Sequence, residues 1–185
     1  MDAIERIEKA TEQASKAVNA VKPDQLGDPT PCSEFDVRGL LNHLIGGLGM
    51  LTTAAGGGKA VAPDSDLVGD GSDVGSRYDA GRTKLLEAIR ADGVLERTWE
   101  MPFGALPGQM MASIAFMEHV THAWDVAKAT GQDTTLPTEL AQECLDVVTP
   151  MDTMLRMPGV CGPPVAVPDN ASLTDRLVAF MGRQP

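Results

Sequence analysis

The chain has 185 residues and carries 15 Lys+Arg against 26 Asp+Glu, a formal net charge of -11 at pH 7. That length supports one domain with a core of its own and no disulfide staples, and the negative charge repels phosphate backbones, which argues against a nucleic-acid partner. Aromatics are only 4% of residues, so few rings are present to stack on bases.

No apolar run approaches the roughly 18 residues of a membrane span, and no membrane partner is expected. The N-terminal stretch MDAIERIEKATEQ is charged and helical in pattern, without an apolar secretion core. A cytoplasmic protein is expected. Cys32, Cys144 and Cys161 are far apart and odd in number, which fits reduced thiols rather than a disulfide framework or a thiolate zinc knuckle.

A first helix is predicted over 2–22, where Ile4, Ile7, Ala10, Ala14, Val18 and Val21 recur at three and four, and Pro23 ends it. A polar connector rich in proline follows. Asp36 then caps a second helix, about 37–54, with Val37, Leu40, Leu41, Leu44, Ile45 and Leu48 as its apolar face. Gly46, Gly47 and Gly49 each cost on the order of 1 kcal/mol against Ala. They mark either a fraying end or a close approach of another helix or a ligand.

Residues 56–72 read as loop. A third helix is predicted over about 73–91. The stretch 92–109 is expected to cross the bundle as a connection, with a short extended segment at Arg97–Met101. A fourth helix covers about 108–130 and stops at Gly131. A fifth covers 138–155, kinked or broken by Pro150. The tail 156–170 is irregular, and a short helix at about 172–181 closes the chain. The expected organisation is a helical bundle over 1–155, with 156–185 as a tail packed on the same domain.

The three histidines, His43, His119 and His122, carry the chemical information. Glu118 and His122 stand at i and i+4, about 40° apart around the helix, which lets both reach one ion. His119 and His122, about 60° apart, offer an alternative chelate, and spacing alone does not decide between the pairs. The plain reading of Glu118 and His122 is an exposed helix-stabilising pair. If the second and fourth helices are neighbours, His43 completes a three-ligand set of the kind built inside bundles. Imidazole and carboxylate suit divalent first-row metals, and three protein ligands leave a position open for an exogenous group.

Asp125 reads either as a partner to the outer nitrogen of a liganding histidine or as a solvated acid. Asn42 reads as ordinary. Arg82 and Lys84 read as a solvated face. Trp124 and the methionines (Met110, Met111, Met117, Met151, Met154, Met157) read as core.

The run Thr30-Pro31-Cys32-Ser33-Glu34-Phe35-Asp36-Val37-Arg38-Gly39-Leu40-Leu41-Asn42-His43-Leu44 resembles the entry to the second helix in the DinB-like superfamily. Phe116 to Ala127, with its Glu118-His119-Val120-Thr121-His122 core, resembles the fourth-segment motif of one branch. That branch contains the metal-binding domain of mycothiol-dependent maleylpyruvate isomerase. Pro102-Phe103-Gly104 and Gly162-Pro163-Pro164-Val165 resemble actinobacterial proteins of the same branch.

The resemblance implies an all-α, DinB-like four-helix bundle with an added C-terminal helix and an irregular tail. It implies a divalent ion, usually zinc, held by His43, Glu118 and His122, with His119 matching no ligand. It also implies a low-molecular-weight thiol, mycothiol, at the open position, and hence a thiol-dependent transferase or isomerase acting on a small molecule, as monomer or homodimer. The isomerase carries a second domain for which this chain leaves little room, so the metal site carries over more readily than the reaction. A metal-dependent hydrolase with the same ligands and a non-catalytic metal-binding module are the alternatives.

Overall fold

The computed structural model describes residues 1–185. Asp2 opens the first helix by accepting a hydrogen bond from Glu5 N at 2.8 Å, and α1 runs Ala3–Asn19. It ends before the predicted limit. Pro23 forces Lys22 into extended backbone and starts a 3-10 turn over Pro23–Gln25, which leaves Val21 outside the helix.

Asp36 caps α2 (Val37–Ala55) by accepting from Gly39 N at 2.7 Å. The helix does not fray at its glycines. Leu40, Leu41, Leu44, Leu48 and Leu51 are all buried, and each contributes about 1.5–3 kcal/mol, which outweighs the poor propensity of the glycines between them. Next comes α3 (Val74–Ile89), which buries Val74, Tyr78, Leu85, Leu86 and Ile89.

The expected connection across the bundle is more ordered than predicted. Thr98–Met101 (β1) and Gly104–Pro107 (β2) pair as an antiparallel hairpin, with Trp99 opposite Leu106. Trp99 is buried and donates its indole N–H to Val94 O at 2.9 Å, which fixes the hairpin to the core. The hairpin runs into α4 (Gly108–Ala129), which is buried on nearly all sides.

In the bundle α4 is flanked by α1 and α2, and α3 packs against the same two helices. Consecutive helices α1 and α2 therefore lie across a diagonal, an arrangement that the long connections permit. The second and fourth helices are neighbours, as a shared site requires.

Pro150 breaks the predicted fifth helix. Helix α5 is Thr138–Val148, a 3-10 turn covers Thr149–Met151, and α6 is the single turn Asp152–Leu155. Beyond the irregular tail, α7 (Leu173–Phe180) packs on α5. A second buried cluster forms here, joining Phe116, Met117 and Val120 of α4 to Leu140, Cys144, Val148, Leu177 and Met181. The all-α bundle with an added C-terminal helix is present as expected, with a two-stranded hairpin added. No helix is long and apolar enough to cross a membrane.

Candidate functional site

His43 on α2 faces α4, one turn after the buried Leu40 and next to the buried Leu44. On α4, Glu118 and His122 lie one turn apart on the face toward α2. The three meet at one oxygen: His43 Nε2 lies 2.8 Å and His122 Nε2 3.2 Å from Glu118 Oε2. The ligand atoms of the three groups are all within 4.8 Å of one another. The two imidazole rings meet edge to face at 5.1 Å, and Phe35 stacks on His43 at 5.3 Å. Two imidazoles and one carboxylate at this separation fit a divalent first-row ion.

His119 does not join them. It is buried, donates Nδ1–H to Ala115 O at 2.8 Å, and sets its ring 6.1 Å from that of Tyr78. Its Nε2 has no partner. Burial pushes its pKa down to about 4, so it is a neutral core histidine. Of the two chelates that spacing left open, the structure assembles Glu118 with His122.

Beneath the site runs a chain of charges. Asp125, fully buried, accepts from His122 Nδ1 at 2.9 Å. Arg183 meets the same carboxylate with two nitrogens, Nη2 at 2.9 Å and Nε at 3.2 Å. Its third nitrogen donates to Met181 O at 2.7 Å. Asp125 is thus the partner that fixes the His122 ring and aims Nε2 at Glu118.

Burial alone would lower the His122 pKa. Hydrogen bonds to Asp125 and Glu118, with their charges, outweigh that and raise it to about 9. Burial opposes ionisation of Glu118 too, yet bonds from His122 and His43 hold its carboxyl well below the usual range. Asp125 is lowered likewise by His122 and Arg183, against its burial.

Arg183 escaped the sequence reading because it lies far from any motif. Its signal is local: Gly182 has φ 80, and Arg183 N bonds Val178 O at 2.8 Å while Gly182 N bonds Ala179 O at 3.0 Å. This is a Schellman cap on α7, and it swings the following residue back across the helix. A Cβ on Gly182 would lie 2.9 Å from Gly162 O.

A cavity of about 560 Å³ opens onto the site, within the range of small-molecule pockets. His43, Glu118 and His122 form part of its wall, and sixteen of its twenty-five lining residues are hydrophobic. Met111 and Met117, read from sequence as core, are buried as expected and also line it, together with Met50, Met101, Met181 and the half-buried Met154. Met110 and Met157 are exposed rather than core, while Trp124 is buried as expected.

Gly47 faces open space on the cavity wall, whereas Gly46 meets Pro63 of the following loop. Asn42 is not ordinary. Its amide accepts from Leu67 N at 2.6 Å and donates to Asp66 at 2.9 Å, pinning that loop. Arg82 is not a free surface cation, because its Nε donates to Thr11 Oγ1 at 3.1 Å. Cys32 and Cys161 line the cavity with thiol pKa values raised by burial. Cys144 is buried away from it, its thiol pushed up to about 12.

Residues 7–127 match the family described as the mycothiol maleylpyruvate isomerase N-terminal domain. The chain belongs to this family. Uncharacterized proteins of Mycobacterium tuberculosis, Rv0738 of strain ATCC 25618 / H37Rv and MT0763 of strain CDC 1551 / Oshkosh, are 31% identical over 188 residues, spanning 99% of this chain and 98% of theirs. The crystal structure of a mycothiol-dependent maleylpyruvate isomerase is similar with a TM-score of 0.57 at 17% identity, over 78% of this chain and 68% of that one. A histidine-to-alanine mutant of a mycothiol-dependent maleylpyruvate isomerase superposes over the same shares with a TM-score of 0.53 at 15% identity. At those identities the likeness establishes the fold, which is that of the maleylpyruvate isomerase family. All three residues of the candidate site fall inside the family segment, and Arg183 falls outside it.

Proposed function

We propose that this protein is a thiol-dependent isomerase or transferase in which His43, Glu118 and His122 hold a divalent metal ion, zinc by the resemblance to the family. The observation that carries this is the meeting of two imidazole nitrogens on one carboxylate oxygen at the wall of an apolar cavity. Membership of the family described by mycothiol supports the thiol.

A bound divalent ion supplies Lewis acidity, which keeps a thiol deprotonated near neutral pH. The chain's residues do the rest. Asp125 holds the Nδ1 proton of His122 and so reserves Nε2 for the ion. Phe35 fixes the plane of His43. The apolar wall keeps water away from the sulfur. In an isomerisation the thiolate pair forms an S–C bond at one end of a conjugated double bond, and the displaced π pair moves to the carbonyl oxygen. The single bond rotates, the pair returns, and the thiolate leaves unchanged. In a transfer the S–C bond remains and a leaving group departs with its electron pair.

Cobalt substitution tests this reading. Addition of a small thiol to the cobalt protein is expected to produce an intense sulfur-to-cobalt charge-transfer band in the near ultraviolet. A spectrum indifferent to millimolar thiol would count against a thiol-using site.

A further inference from the structure

The cavity beside the site has a charge pattern that selects its occupant. Apart from the histidines, its charged lining groups are Glu34, Glu118 and Arg183. Arg183 is only 7% exposed, and every nitrogen of its guanidinium is engaged: Nε and Nη2 by Asp125, Nη1 by Met181 O. The walls therefore offer a carboxylate no free cation. With a divalent ion held there, Glu118 and a thiolate would together balance its two charges, leaving none for a further anion. A carboxylate entering this space would lose its hydration without gaining a partner.

The rest of the lining is apolar and adaptable. Six of the chain's ten methionines stand on it, and methionine re-packs around varied shapes. The apolar character continues to the mouth. Phe103, at the hairpin tip, is 65% exposed and Val160, in the tail, is 47% exposed, yet both line this cavity. Exposed large hydrophobics are otherwise few on this chain.

We infer that the electrophile taken at this site is a neutral, apolar molecule and not a dicarboxylate such as maleylpyruvate; as an assignment of the thiol acceptor, this rests on the thiolate reading above. The apolar body lies against the methionine wall, and the reactive carbon is presented toward His43, Glu118 and His122.

Displacement of a neutral dye, Nile red, from the metal-loaded protein, with a small thiol present at saturation and no electrophile that turns over, tests this without turnover. In a series of n-alkanols, affinity is expected to rise about fourfold per methylene. Maleate and fumarate are expected to leave the dye bound at millimolar concentration. Gly47→Leu fills the cavity from a position where a Cβ meets nothing within 4 Å, and it favours the helix, so the fold is retained. It is expected to weaken alkanol binding at least tenfold while helical circular dichroism persists. Displacement by maleate without an alkanol series, or a series unchanged in Gly47→Leu, would overturn the inference. Metal uptake is read on the same sample. No uptake with the series intact would overturn the thiolate reading, whereas uptake with a flat series would overturn the apolar class alone.

Discussion

The bundle and the C-terminal tail contribute to one site by different means. From the bundle come the three converging donors, placed by helix periodicity on α2 and α4, where register alone decides which side chains face each other. From the tail comes Arg183, placed by a helix cap rather than by periodicity, together with the cavity wall at Met154, Val160, Cys161 and Met181. The three candidate donors are thus local to two helices, while the charge balance behind them depends on a segment 58 residues away in sequence. Loss of the second would leave the donors and Asp125 in place but take the counter-charge from Asp125.

The sharpest way to break the comparison is to remove a donor from the bundle. His43→Ala is expected to abolish stoichiometric metal uptake, measured by elemental analysis after dialysis, with helical circular dichroism retained. Glu118→Ala should do the same. His119→Ala should keep the metal, because its ring faces Tyr78 and not the carboxylate. Metal loss in His119→Ala with retention in Glu118→Ala would reverse the assignment of the chelate.

A smaller effect is expected on the tail side. Asp125→Asn leaves Arg183 buried without a counter-charge, which costs about 3–5 kcal/mol of stability. Adding Arg183→Met removes that charge and should restore most of the stability. Metal affinity of the double variant should stay about 10–100-fold below the parent, since the partner that orients His122 is still missing. Chemical denaturation and competition with a chelator read the two quantities separately. Equal recovery of both would mean that Asp125 serves the fold alone.

The smallest effect is in pH. His122, with a pKa of about 9 in the metal-free protein, is protonated at pH 7.5 and must release that proton to a metal. Uptake should therefore release about one proton per ion, seen with an indicator dye in weak buffer, and affinity should rise with pH up to about 9.

The metal-free fold has its own profile. The raised pKa of His122 stabilises it fully below the unfolded value of about 6.5, and this is lost as pH rises through about 9. His119, lowered to about 4, acts oppositely, because the unfolded chain takes up its proton first as pH falls below about 6.5. The lowered carboxyls of Glu118 and Asp125 add a further loss at still lower pH. Thermal denaturation of the stripped protein should show a maximum near pH 6.5, and a monotonic rise to pH 9 would contradict the His122 environment.

Periodicity made the helices legible, and with them the candidate donors. Leu40, Leu41 and Leu44 predict which face of the second helix is buried, and His43 follows from its place beside them. Asp36 and Pro150 mark their boundaries because capping and the missing proline N–H act within a turn. The hairpin was legible only as an extended segment, since its pairing depends on Trp99 being anchored against Val94. Met101, Met111, Met117 and Met181 are at once buried core and cavity wall, and no spacing rule shows where the core meets a cavity. The role of Asn42 is hidden for a related reason: its partners lie in a loop with no period.

Gly182 extends this to a residue with no side chain. The left-handed turn that returns Arg183 to Asp125 requires an achiral centre, and Gly162 O closes the space on one side of it. Residue 182 makes no contact with Glu118 or the histidines. Any replacement there would nevertheless be felt at His122, through a guanidinium that no longer reaches. The aim of His122 therefore depends on a position that contributes only a left-handed backbone and the room beside it.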